Sequence, residues 1–110
     1  MAEKIIRVSD SDFSGKVIDS RRISVVDFWA TWCAPCRRLD GVLEEMARDY
    51  DGRVAFYRVD VNESGGTASK YAVRSIPTLL FFDGGEVVDQ AVGSISREDI
   101  KEKLEKLLGV

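Results

Sequence analysis

Two cysteines, Cys33 and Cys36, stand in the run Trp32-Cys33-Ala34-Pro35-Cys36, and they are the only cysteines among 110 residues. Three kinds of chemistry suit such a pair: metal ligation, a structural disulfide, or electron exchange with another sulfur pair. Structural zinc usually takes four Cys or His ligands. The chain has no histidine, so a zinc site would have to recruit carboxylates or a second chain. The same absence excludes a Cys–His nucleophilic dyad. A disulfide closing so short a loop restrains the unfolded chain little, and a chain of 110 residues buries enough surface to fold without a staple. Redox exchange between the two sulfurs is the reading that remains, with zinc kept as an alternative and no metal expected.

A redox pair works when its sulfurs are unequal, and the elements around them set the inequality. Ser24 to Ala30 (SVVDFWA) is β-branched and aromatic on both faces, the pattern of a buried parallel strand. After it, Leu39, Val42, Leu43, Met46, Ala47 and Tyr50 recur at helical spacing. The cysteines therefore fall where a strand gives way to a helix, at the carboxyl end of the strand, where α/β sheets gather functional groups. In the first turn, unpaired backbone N–H groups and the helix dipole favour thiolate over thiol, which predicts a lowered pKa for Cys33. Three residues along a helix return Cys36 to the same face, within bonding reach. Pro35 fits a first turn, since its missing N–H had no partner there. Trp32 and Pro35 are expected to screen the Cys36 sulfur.

The remaining periodicity alternates strand and helix. Ile5 to Val8 reads as a strand, Phe13, Val17 and Ile18 as a short helix after the possible caps Ser9 to Asp12, and Val54 to Val61 as a strand. Ser64-Gly65-Gly66 reads as a loop before a helix over Thr67 to Tyr71. Thr78 to Phe82 and Glu86 to Val92 flank Asp83-Gly84-Gly85, a hairpin signal. Ser96 and Asp99 resemble a capping box opening a last helix that buries Ile100, Leu104, Leu107 and Leu108 and stops at Gly109. The order βαβαβαββα predicts an α/β domain over residues 1–110, with a mixed sheet covered by helices on both faces. A net charge of −3 gives no support to nucleic-acid binding. The start, MAEKIIRVSD, has no apolar run of export-signal length and no later stretch reaches transmembrane length, so the cytoplasm is the expected location, with no membrane partner.

Together these residues carry a resemblance. VVDFWATWCAPC, KYAVRSIPTLLFF and DGGEVVDQAVG stand in the order and spacing of the thioredoxin family, and the likeness covers essentially the whole length. The C-x-x-C pair alone is a weak signal; Asp27, Trp29, Trp32, Ile76-Pro77-Thr78 and Gly93 make it specific. A lowered thiol pKa and a reducing couple are properties for which this family is the standard example. The resemblance implies the thioredoxin fold, a central five-stranded sheet of order 1-3-2-4-5 flanked by four helices, and reduction of protein disulfides. In the implied cycle Cys33 attacks the target disulfide and Cys36 resolves the mixed disulfide. A flavoprotein thioredoxin reductase using NADPH would restore the dithiol, so the chain holds no cofactor of its own and acts as a monomer on disulfide-containing target proteins.

The resemblance also gives roles to single residues. Asp27 interrupts an apolar strand; burial should raise its pKa, and the family places it beneath Cys36 as that thiol's proton acceptor. The proline matching Pro77 is cis and faces the sulfurs, the backbone at Ile76 pairs with an extended target segment, and Gly93 lets that segment approach. Trp32 is expected to offer targets an apolar contact, while Trp29 is core and site wall. Arg58, where the family often has Lys, either tunes Asp27 or is a solvated cation. Arg37 and Arg38 either are solvated or favour the thiolate and acidic targets. Two positions depart from the family: Ala34 replaces a usual glycine, with an effect on redox poise of unresolved direction, and Gly41 replaces a helix-kinking proline. Two rival activities stay open, a binding subunit with incidental sulfurs and an isomerase or oxidase of an oxidising compartment.

Overall fold

The computed structural model of the chain describes residues 4–110. Met1, Ala2 and Glu3, the start of the stretch read for an export signal, lie outside the described residues. Five strands form one sheet: β1 (Ile5–Val8), β2 (Ser24–Trp29), β3 (Ala55–Asp60), β4 (Thr78–Asp83) and β5 (Glu86–Val92), in the order β1-β3-β2-β4-β5. β3 runs parallel to both β1 and β2, whereas β4 is antiparallel to β2 and β5 to β4. The helical elements are a π-helical turn (Ser14–Ile18), α1 (Ala34–Asp49), α2 (Gly65–Lys70) and α3 (Arg97–Leu108). This is the thioredoxin fold, with the strand order and the four helical elements that the resemblance implied.

Both faces of the sheet are covered, which is why β2 is apolar on both sides. On one face Val25, Phe56, Leu79 and Phe81 pack against Leu39, Leu43 and Met46 of α1 and Ile100 and Leu104 of α3. On the other, Val26, Phe28, Leu80 and Phe82 meet Phe13, Val17 and Ala68. Phe13, Tyr71 and Phe82 form a trio of edge-on and tilted rings at centroid separations of 5.5 to 5.9 Å. Alternation along β2 places Asp27 on the α1-facing side with Val25 and Trp29. The two-residue hairpin loop uses Gly84 at φ 63° and Gly85 at φ 86°, a conformation that disfavours side chains.

Several local details differ from the sequence reading. The Phe13–Ile18 segment closes as a π-helical turn. α2 begins at Gly65, two residues before the expected start, because its first turn is capped from far away in sequence. Asp10 accepts hydrogen bonds from the Gly66 and Thr67 amides at 3.1 and 2.7 Å and from the Thr67 hydroxyl at 2.6 Å. Those bonds, the Thr67 hydroxyl first, hold the Asp10 carboxyl below its ordinary pKa. Asp10→Ala should therefore lower the melting temperature by a few degrees and speed amide exchange at Gly66 and Thr67. Unchanged exchange at those amides would refute the cap. On α3, Ser96 accepts from the Asp99 amide at 3.1 Å and Gly109 ends the helix at φ 79°. Lys103 pairs with Asp89 of β5 at 3.0 Å. Arg97 bridges Glu45 and Asp49 of α1 at 3.0 and 2.7 Å.

Candidate functional site

The polypeptide leaves β2 at Trp29 and turns through Ala30 to Cys33, whose amide donates to the Ala30 carbonyl at 3.2 Å. Cys33 is the N-cap of α1: its backbone is extended, at φ −90° and ψ 105°, and its Sγ accepts the Cys36 amide at 3.2 Å. The sulfur thus takes one of the N–H groups that a helix start leaves without a partner. Pro35 lies in that first turn. Cys33 and Cys36 are joined by a disulfide across 5.3 Å between Cα atoms. They differ in access: Cys33 is 4% exposed and Cys36 fully buried, in a cluster with Ala30, Trp29, Val61 and Ile76. Trp32, beside Cys33, is 67% exposed.

Opposite the sulfurs, the Ile76–Pro77 peptide is cis, and the turn before β4 is closed by a 2.6 Å bond from the Thr78 hydroxyl to the Ser75 carbonyl. Ile76 packs against the cysteines, and the Pro77 carbonyl accepts the Gly93 amide at 2.8 Å. Gly93 has φ 85°, and a Cβ built there would meet nothing within 4 Å. The glycine is required by its backbone angle, and the space beside it is open. A groove runs from the helix start past this turn, lined by Pro35, Arg38, Leu39, Val42, Pro77, Ser94 and Ile95. Arg37 donates to the Thr31 carbonyl at 2.6 Å, tying the loop before Cys33 to the helix.

Across β2 and β3, Asp27 and Arg58 form a charge cluster with Asp40 of α1. Asp27 is 1% exposed, and among the described residues neither carboxylate oxygen has a hydrogen-bond partner. Burial pushes its pKa up to about 7, against the pull of Arg58, and the charge of Asp40 adds to the rise. Arg58 is no solvated cation: its side chain is 15% exposed and lies over the Trp29 ring at 5.6 Å. Its Nε sits 3.8 Å from Asp27, and its Nη2 donates to Asp40 at 3.1 Å. Arg7 of β1 reaches the Trp29 ring at 5.8 Å. Asp40 was missed in the sequence, although its place one turn after Cys36 puts both on one face of α1. Among the described residues no three His, Cys, Asp or Glu side chains are grouped to hold a metal.

The arrangement suits dithiol–disulfide exchange: one sulfur accepts a helix-start amide and is the less buried of the two, and its partner lies fully buried behind it. Comparison with known proteins agrees. The thioredoxin family model matches residues 4–106. The chain is 41% identical over 109 residues to Thioredoxin 2 of Chlorobaculum tepidum, covering 99% of this chain and 100% of that one. It is 49% identical to a thioredoxin of Staphylococcus epidermidis and 47% to one of Staphylococcus aureus, each over 94% of this chain and 98% of the relative. Matched from one end to the other and carrying its redox disulfide at the start of α1, the chain belongs to the thioredoxin family and is a dithiol–disulfide oxidoreductase.

Proposed function

We propose that residues 1–110 act as one domain and a monomer that reduces disulfides of target proteins, with Cys33 as nucleophile and Cys36 as resolving thiol. In the first step the Cys33 thiolate attacks one target sulfur; a Cys33–target bond forms, the target disulfide breaks, and the departing target sulfur takes up a proton. In the second, Cys36 gives its proton to Asp27 and attacks Cys33; the mixed disulfide breaks and Cys33–Cys36 forms. Two electrons pass to the target. A thioredoxin reductase, supplying them from NADPH through its own flavin, returns the pair to dithiol, so the chain itself needs no cofactor or metal. Trp32 gives the target an apolar contact, while the Ile76 backbone, Pro77 and Gly93 seat an extended target segment beside the sulfurs. Trp29, Ala34, Pro35 and Arg58 set the surroundings of the pair. No helix among the described residues is long and apolar enough to cross a membrane, and the cytoplasm, whose reductants keep dithiols available, is the compartment this activity fits.

The observation that carries the assignment of roles is the 3.2 Å bond from the Cys36 amide to the Cys33 sulfur, at the less buried of the two cysteines. Such a donor favours the ionised form. In the reduced protein, Cys33 should react with iodoacetamide with a midpoint at least roughly one pH unit below the ordinary ~8.5, while Cys36 stays unreactive there. Peptide mapping of alkylation against pH reads both. Identical curves near 8.5 for the two sulfurs would overturn the assignment.

A further inference from the structure

Arg58 stands between two carboxylates and treats them differently. Its Nη2 makes a 3.1 Å hydrogen bond to Asp40, whereas its Nε remains 3.8 Å from Asp27. That Nε and both Asp27 oxygens are buried without hydrogen-bond partners among the described residues. Stacking on Trp29 at 5.6 Å limits where the guanidinium can go. Among the described residues, the directed bond this cation makes is therefore to the acid that is 29% exposed, while the acid that is 1% exposed receives only its field. We infer that Asp40 is a positioning residue of this redox site: by holding one arm of Arg58 it keeps the guanidinium from closing on Asp27, and so governs how readily Asp27 takes up and releases a proton.

The charged groups around Asp27 leave Asp40 as the natural lever. β3 contributes Arg58, and β1 contributes Arg7, which reaches Trp29 at 5.8 Å. β4 places apolar Leu79 directly opposite Asp27. α1 contributes Cys36, disulfide-bonded in this state, and Asp40, which itself feels Glu44 and Arg37. Neutralising Asp40 has two effects of the same sign: it removes a negative charge near Asp27 and frees Arg58 to bond there. Both favour the Asp27 carboxylate. Asp40 touches neither sulfur nor target in this scheme and acts only through Arg58.

The test follows the Asp27 side-chain carboxyl carbon by NMR in the oxidised protein, from about pH 4 to about pH 10. Asp40→Asn should move the midpoint from about 7 downward by about one pH unit. Asp40→Glu, which keeps the charge, should return most of that shift. A midpoint unmoved by Asp40→Asn, or an equal shift in both variants, overturns the inference. The functional consequence rests on the proton-acceptor role proposed for Asp27, and insulin-disulfide reduction against pH in the same variants separates the two. A lowered NMR midpoint with a fixed pH profile of turnover supports the inference about Asp40 and overturns the role of Asp27.

Discussion

Replacing Cys33 with Ser is expected to reduce catalysed insulin-disulfide reduction to the dithiothreitol background, a loss of roughly a thousandfold or more. The size follows from the division of labour between the sulfurs. Cys36 is fully buried, so no target disulfide reaches it while Cys33 occupies the opening. A hydroxyl at position 33 has no low-lying ionised form and no redox couple with Cys36. Cys36→Ser should behave differently, because the attacking sulfur remains. It should complete one attack and then hold the target as a stable mixed disulfide, visible as an added mass that reductant removes. Equal insulin turnover by Cys33→Ser and the unaltered protein would abolish the oxidoreductase reading and favour a binding subunit with incidental sulfurs.

The second large effect concerns stability. Asp27→Asn should make the protein more stable at pH 8, by about 2 to 4 kcal/mol, with the difference fading toward about pH 4. In the folded chain burial pushes the Asp27 carboxyl up to about 7, from an ordinary 3.8. Between those values the folded state holds a proton that the unfolded state has released. Stability is therefore fully present below about pH 4 and declines as pH rises to about 7, by about 1.4 kcal/mol per pH unit. Asparagine has no charge to bury and escapes the decline. Arg58 keeps its 3.1 Å bond to Asp40 in this variant and is not stranded. The same change should slow the resolving step by about a hundredfold, since it removes the general base proposed for that step. Denaturant midpoints across pH read the first effect and decay of the mixed disulfide reads the second. Parallel stability curves for the two proteins would refute the titration of Asp27.

Much of the fold is legible in the sequence because both faces of β2 are covered. SVVDFWA, the i, i+3, i+4 spacing from Leu39 to Tyr50 and the double glycine at 84–85 are local signals of elements that the sheet then accommodates. The early start of α2 is not legible, since its cap is a carboxylate 56 residues away from Gly66. Ion pairing along α3 shows the same limit: Lys103 has Asp99 at helical spacing, yet Asp89 on the adjoining strand lies closer to hand. In the site, the sulfur pair and the lone acid in an apolar strand stand out by type alone. Asp40 does not, because an aspartate on a charged helix surface looks solvated until Arg58 is seen to turn inward. The lesson is physical: side-chain types mark the chemistry, but long, flexible cations choose their partners in three dimensions.

The Cys33 sulfur, the proposed nucleophile, is also the cornerstone on which the first helical turn is laid. Exchanging partners at that atom therefore asks nothing of the scaffold, which is seated on the spot where electrons change hands. A hydroxyl of similar reach is an even better seat for the turn, so the Ser substitution disarms the molecule while leaving its architecture intact. Inactivity in that variant then speaks to chemistry alone, and the disarmed chain becomes a clean decoy for capturing whatever normally settles against the opening.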